Sequence, residues 1–202
     1  MNILAVGAHP DDVEWGCGAA LAAHVEAGSR VGVLVLTDGH GNGNTATRRR
    51  ESEAAASVLG VELMWGGMRD GEVRHTADAV AVVEESLRLV GAERVYVHWP
   101  YDSHQDHVAA SGIVTSAARH AGDILYYQSP SSIGFLASVF LDAKEYLDVK
   151  EKALACHSSQ VRGSLMVEVE DVETVARYWG AFSRVPGRLA EGFMPARMRL
   201  EP

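Results

Sequence analysis

The stretch Ala8-His9-Pro10-Asp11-Asp12-Val13-Glu14 decides how the rest of the chain is read. An apolar run, Ile3-Leu4-Ala5-Val6-Gly7, precedes it and an Ala-rich helical pattern follows, so it occupies a strand-to-helix turn. Such turns lie at the carboxyl edge of the strands, where open α/β sheets place their ligands. Pro10 suits the opening of the turn, and Asp11 or Asp12 can cap the following helix. Adjacent carboxylates at one strand end call for a cation, a capping role, or both, because unpaired buried Asp is rare. Taken alone, the stretch fits a helix cap beside a surface histidine equally well.

The pattern outward from this turn repeats strand and helix. Helix is expected over Cys17 to Ala27, ending at Gly28, and a second strand over Val31 to Leu36. The exit Thr37 to Asn44 is rich in Gly and Asn and reads as a mobile loop. A helix from Arg48 to Leu59, a strand from Val61 to Trp65, a helix from Ala77 to Val90 and a strand from Arg94 to His98 follow. Next come a helix from Val108 to His120 and a strand from Ile124 to Tyr127. This alternation predicts a mainly parallel sheet in a three-layer, Rossmann-like α/β sandwich. Beyond Pro130 the expected elements are a strand at Ser138 to Leu141, helices at Tyr146 to Cys156 and Val172 to Phe182, and a last strand near Met194 to Arg199. With no linker or repeat, residues 1–202 are expected to form a single domain.

In such a sheet the turns after strands one and four meet, bringing His9, Asp11 and Asp12 towards His104, Asp106 and His107. Two imidazoles and a carboxylate with an open position form a catalytic zinc set, whereas magnesium seldom takes two histidines. Zinc or another divalent transition metal is therefore the expected cofactor. Dinucleotide binding is disfavoured. The first turn holds His-Pro-Asp-Asp where Gly-x-Gly-x-x-Gly belongs, and carboxylates there would repel a pyrophosphate.

Composition narrows the remaining classes. Hydrophobic residues at 47% and charged residues at 22% argue against a disordered chain, and a net charge of -9 argues against a nucleic-acid partner. The one basic run, Arg48-Arg49-Arg50, reads as a solvated helix start before it reads as an anion site. No apolar run approaches the roughly 18 residues of a membrane span, and Met1 leads directly into a strand, so a cytoplasmic location without membrane attachment is expected. Cys17 and Cys156 read as reduced thiols.

Ala-His-Pro-Asp-Asp-Val-Glu at 8–14 together with Asp102-x-His104-x-Asp106-His107 resembles the paired signatures of the PIG-L, or LmbE-like, zinc-dependent N-deacetylases. The likeness extends through Arg48-x-x-Glu51, Lys150-x-x-Ala153-Leu154-x-x-His157-x-Ser159-Gln160, Tyr178-Trp179-Gly180 and Ala190-Glu191-x-Phe193. It implies removal of an acetyl group from an N-acetylglucosaminyl small molecule, releasing acetate and a free amine. By position it implies His9, Asp12 and His107 as metal ligands and Asp11 as the general base. His104, oriented by Asp106, would stabilise the oxyanion or protonate the leaving amine. Arg48 and Asp70 match positions that contact the sugar. The family commonly forms homo-oligomers, but no stretch marks an interface. The chain departs from the usual pattern at Val13, which displaces an acidic residue to Glu14, and at Gln105, which replaces a common proline. His40 and His98 read as background rather than ligands, and His157 and Gln160 as either support for the metal shell or a helix cap. The competing functions are an amidase of the same superfamily acting on another amide, such as a thiol conjugate, and a non-catalytic metal- or sugar-binding protein.

Overall fold

The computed structural model describes residues 1–161 and 169–199. Seven strands form one sheet in the order β3-β2-β1-β4-β5-β7-β6. They are β1 (Ile3–Gly7), β2 (Val31–Thr37), β3 (Glu62–Met68), β4 (Arg94–His98), β5 (Asp123–Tyr127), β6 (Val139–Asp142) and β7 (Ala190–Arg197). The first five run parallel, and β7 joins β5 and β6 antiparallel, which gives the expected mainly parallel α/β sheet. The helices are α1 (Asp12–Glu26), α2 (Thr45–Leu59), α3 (Ala77–Val90), α4 (Gln105–Ala117), α5 (Leu147–Ala155), α6 (Ser158–Val161) and α7 (Val169–Ser183).

Strand alternation sorts the core into two layers. Ile3 and Ala5, with Val31, Val33 and Val35, face α1, α2 and α5 through Leu21, Leu59 and Ala153. Leu4 and Val6, with Leu34 and Leu36, face α3 and α4 through Val83, Val90, Ile113 and Val114. Such double-sided burial is why β1 and β2 read as unbroken apolar runs rather than as alternating ones. Full burial of each such side chain contributes roughly 1.5–3 kcal/mol.

Helix boundaries moved where capping outweighs apolar periodicity. α2 begins at Thr45 rather than Arg48, because the Asn44 side chain accepts the Thr47 amide at 3.1 Å. β7 begins at Ala190, earlier than expected, because Ala190 to Phe193 pair with β6. The loop after β2 is more ordered than its glycines suggest. It contains a 3-10 turn at His40–Asn42, and the Gly41 amide donates to Asp70 Oδ2 at 2.9 Å.

α1 starts at Asp12, five residues before the expected Cys17, and the backbone breaks at Cys17 (φ -145°, ψ 19°). Gly16 causes no clash there, whereas a Cβ at this position would stand 2.2 Å from the Tyr127 ring. The amides freed by the break do not face apolar protein. Ala19 and Ala20 donate to the Glu191 carboxylate at 2.9 and 2.7 Å, and Lys150 Nζ reaches the same carboxylate at 2.6 Å. The C-terminal part of the chain is thereby fastened to the helix that follows the first turn.

Candidate active site

Strand order reverses direction between β1 and β4, since β2 and β3 extend one way and β5 the other. A crevice opens at the carboxyl ends on either side of such a reversal. Gly7 lets the chain turn sharply there: a Cβ would lie 2.9 Å from Val13 Cγ2 and 3.1 Å from Asp12 Cβ.

Asp11 takes a left-handed backbone (φ 93°, ψ -25°), uncommon for a residue with a side chain. Neither aspartate caps α1 as expected. Asp11 makes no side-chain cap hydrogen bond, and Asp12 Oδ2 accepts the His9 amide at 2.7 Å. The turn is held from behind by Arg48, whose guanidinium donates to the carbonyls of Pro10 (2.8 Å) and Gly39 (3.1 Å) and lies 3.6 Å from Asp11 Oδ2. Arg48 is 3% exposed, so it is neither the solvated helix start nor an open anion site.

Asp12 stands between two imidazoles. His9 Nδ1 is 3.4 Å from its Oδ2, and His107 Nε2 is 3.4 Å from its Oδ1. The far nitrogen of each ring faces carboxylates: His9 Nε2 is 3.2 Å from both Asp70 Oδ1 and Asp106 Oδ2, and His107 Nδ1 is 3.3 Å from Asp102 Oδ2. Asp102 also accepts from Ser129 Oγ at 2.6 Å and from the His104 amide at 2.8 Å. Burial disfavours charge on His9, yet its hydrogen bonds to Asp106, Asp12 and Asp70 raise it to about 12. Burial opposes His107 in the same way, and Asp12 with Asp102 lifts it to about 9. Burial also works against ionisation of Asp12, but His107 and His98 hold it well below the carboxylate range. The hydrogen bond from His9 holds Asp70 at about 2.

His104 and Asp106 do not meet as the resemblance implies. The Asp106 carboxylate is fully buried and accepts the amides of Gly71 (2.7 Å) and Val73 (3.2 Å), which draw it towards His9. What Asp106 gives His104 is its backbone N–H, donated to Nδ1 at 3.2 Å across the start of α4. In the neutral ring this puts the proton on Nε2. Burial, then the neighbouring His9 and His107, lower the His104 pKa and favour that neutral form. His104 lies edge-on to His9 and stacks on His107, ring centroids 4.6 Å apart in both cases.

Two further residues belong to the cluster. His98, read as background, is fully buried, stacks on His107 at 3.9 Å and places Nε2 3.0 Å from Asp12 Oδ2. Burial and the charge of His107 bring it down to about 4. Asp102 was inside the quoted motif without a role. The signals were present: a histidine as the last residue of the central strand, and a carboxylate five residues before a candidate ligand. His40 is exposed and pairs with Asp38. His157 is fully buried, 3.5 Å from Glu14, and near enough to Asp11 for its charge to favour that carboxylate's ionised form.

The donor set suits a divalent transition ion. Ligand atoms of His9, His104 and His107 lie within 4.8 Å of one another, as do those of Asp12, His98 and His107. His9, Asp70 and Asp106 form a third such set. Ligands held tetrahedrally about 2.0–2.1 Å from zinc stand roughly 3.3–3.4 Å apart, and Asp12 meets the two rings near that spacing through different oxygens, Oδ2 to His9 and Oδ1 to His107. Carboxylates behind the ligating rings are the usual support of a histidine metal site.

Residues 4–118 match the family described as PIG-L, GlcNAc-PI de-N-acetylase. An Escherichia coli protein described as uncharacterized deacetylase YaiS is 36% identical over 170 residues, 78% of this chain and 91% of its own. The chain belongs to the PIG-L family. The diacetylchitobiose deacetylase of Thermococcus kodakarensis is 28% identical over 96% of this chain and 83% of its own. Among solved structures, the conserved protein TT1542 of Thermus thermophilus superposes with a TM-score of 0.87 at 28% identity, over 99% of this chain and 96% of that one. The family model and both of these relatives are described as de-N-acetylases or deacetylases, which supports hydrolase activity for this chain. Among the described residues, no helix is long and apolar enough to cross a membrane.

Proposed function

We propose that this chain is a zinc-dependent N-deacetylase of the cytoplasm that hydrolyses the acetamide of an N-acetylglucosaminyl small molecule, giving acetate and a free amine. The observation that carries the reading is Asp12 set between His9 Nδ1 and His107 Nε2, with Asp11 beside it spending its carboxylate on no cap. His9, Asp12 and His107 would hold the ion. Zinc, when bound, supplies a Lewis acid that polarises the acetyl oxygen and lowers the pKa of water.

The chain's own groups perform the proton transfers. Burial and the adjoining Asp12 charge push Asp11 up to about 6, which suits a base working near neutral pH. Asp11 takes a proton as water oxygen adds to the acetyl carbon. His104, with its proton on Nε2, donates to the oxyanion that develops. The C–N bond then breaks as the proton held by Asp11 passes to the leaving nitrogen. In this reading Asp106 and Asp70 hold His9 in register, and Arg48 fixes the Asp11 turn. Contacts from Arg48 and Asp70 to sugar hydroxyls are a secondary part of their role, since each is already engaged within the protein.

An acetate-release assay on a panel of N-acetylglucosaminyl conjugates, run with zinc and with chelator, tests the reading. Zinc-dependent release from at least one conjugate is expected. Release from none, with a thiol-conjugate amide cleaved instead, would move the chain to the amidase alternative.

A further inference from the structure

His98 takes no part in the reaction proposed above, yet its ring sits in a buried hydrogen-bond conflict. It is the last residue of β4 and is 0% exposed. The Ala8 amide is directed at its Nε2 from 3.1 Å, and Asp12 Oδ2 lies 3.0 Å from the same atom. Nδ1 is buried and has no hydrogen-bond partner among the described residues. One nitrogen cannot serve both neighbours: it accepts from Ala8 only as a lone pair and donates to Asp12 only as an N–H.

The two neutral tautomers differ in what they leave unpaired. With the proton on Nδ1, that N–H is a buried donor without an acceptor, and the Nε2 lone pair faces a carboxylate oxygen at 3.0 Å. The first costs the desolvation of a donor, and the second sets two acceptors against each other. With the proton on Nε2, a hydrogen bond to a carboxylate forms, roughly twice as strong as one between neutral groups. Only the Ala8 amide then goes without this acceptor, so the balance favours Nε2–H. Direct ligation of an ion by His98 is disfavoured by the rings themselves. Ligand atoms of Asp12, His98 and His107 lie within 4.8 Å of one another. The His98 and His107 rings, however, stack with centroids 3.9 Å apart and planes 13° from parallel, so their in-plane lone pairs run side by side rather than converging. Tyr127 packs on His98 at 4.8 Å and is itself fastened by its hydroxyl to the Val6 carbonyl at 2.8 Å.

We propose that His98 is a positioning residue for Asp12: it donates Nε2–H to Oδ2, which already accepts the His9 amide at 2.7 Å, and so reserves Oδ1, 3.4 Å from His107 Nε2, for the ion. With two donors on Oδ2, Asp12 binds through one oxygen, and the ion keeps the open position that catalysis needs. This role for His98 rests on the ligand set proposed above, with Asp12 among its members.

Long-range proton–nitrogen NMR of the metal-free full chain reads the tautomer, the His98 signals being those that vanish in His98→Gln. The proton should stand on Nε2. In zinc competition against a chromogenic chelator, His98→Leu should bind about 10- to 100-fold more weakly than the wild type. His98→Gln, whose amide N–H₂ can stand in for Nε2–H, should recover most of that loss. Cobalt(II) in place of zinc adds a readout that packing alone does not move. The Leu variant should lose d–d absorption intensity as Asp12 turns both oxygens to the ion and the coordination number rises, while the Gln variant keeps the wild-type spectrum. A wild-type proton on Nδ1 overturns the proposal. Zinc uptake that is lost in Asp12→Ala but unchanged in His98→Leu, with an unchanged cobalt spectrum, overturns this role alone. A wild type that takes up no zinc overturns the ligand set and this role with it. Should His98→Leu fail to fold, the wild-type tautomer decides.

Discussion

The carboxylate of Asp106 stands 3.2 Å from His9 Nε2, so a residue of the second motif orients an imidazole of the first. Asp70 shares that nitrogen at 3.2 Å, and together they leave Nδ1 as the atom His9 turns to Asp12. Asp106→Ala should therefore weaken zinc binding by about 10- to 100-fold, the usual effect of removing a partner behind a ligating histidine. Competition against a chromogenic chelator measures it. An unchanged affinity with lost turnover would return Asp106 to service of His104.

Asp11 is predicted to trade stability for chemistry. Its folded-state pKa of about 6 lies above the ordinary 3.8, through burial first and Asp12 second, so the folded protein holds this proton more tightly than the unfolded chain does. The stability linked to that proton is complete below pH 3.8 and is lost as pH rises through 6. At pH 7 the ionised carboxylate is then a net cost in the metal-free protein. Asp11→Asn should raise the Tm of metal-free protein by a few degrees at pH 7 and by less near pH 4. In zinc-loaded enzyme the same variant should lower turnover by roughly 10²- to 10⁴-fold. A metal-free variant that melts below the wild type at pH 7 would show that Asp11 is a structural carboxylate instead.

Glu191 joins the broken first helix to the C-terminal third. Glu191→Ala would leave buried Lys150 unpaired and the amides of Ala19 and Ala20 without their acceptor. Loss of one partner from a buried pair costs about 3–5 kcal/mol, so denaturant unfolding should show a loss of that order. Glu191→Gln keeps an acceptor for the amides and should lose less. Equal stability of Glu191→Ala and wild type would mean that the break at Cys17 needs no acceptor.

The sheet was legible in the sequence because buried parallel strands are continuous apolar runs and helices punctuate them; β1, β2 and β4 lie where those runs stand. The reversal between β1 and β4 follows from that alternation and places both motifs at one edge. Contacts that depend on tertiary direction were not legible. Residue spacing gave no indication that amides of Gly71 and Val73 draw Asp106 away from the His104 ring, or that Arg48 spends its donors on Pro10 and Gly39. His98 ends a strand whose Val95, Tyr96 and Val97 are core, and its packing on His107 and its approach to Asp12 separate it from an ordinary buried histidine. The early start of α1 was hidden by Gly16 and Gly18, which lower helical propensity at the point where the helix breaks.

If one ion held between His9, Asp12 and His107 drives the hydrolysis, acetate release should follow zinc as it is titrated into metal-free protein. Release from an N-acetylglucosaminyl conjugate should rise with zinc, saturate near one ion per chain and disappear in Asp12→Ala, which should also fail to retain zinc. Full acetate release by chelator-treated, metal-free protein, or by an Asp12→Ala variant devoid of zinc, would contradict it.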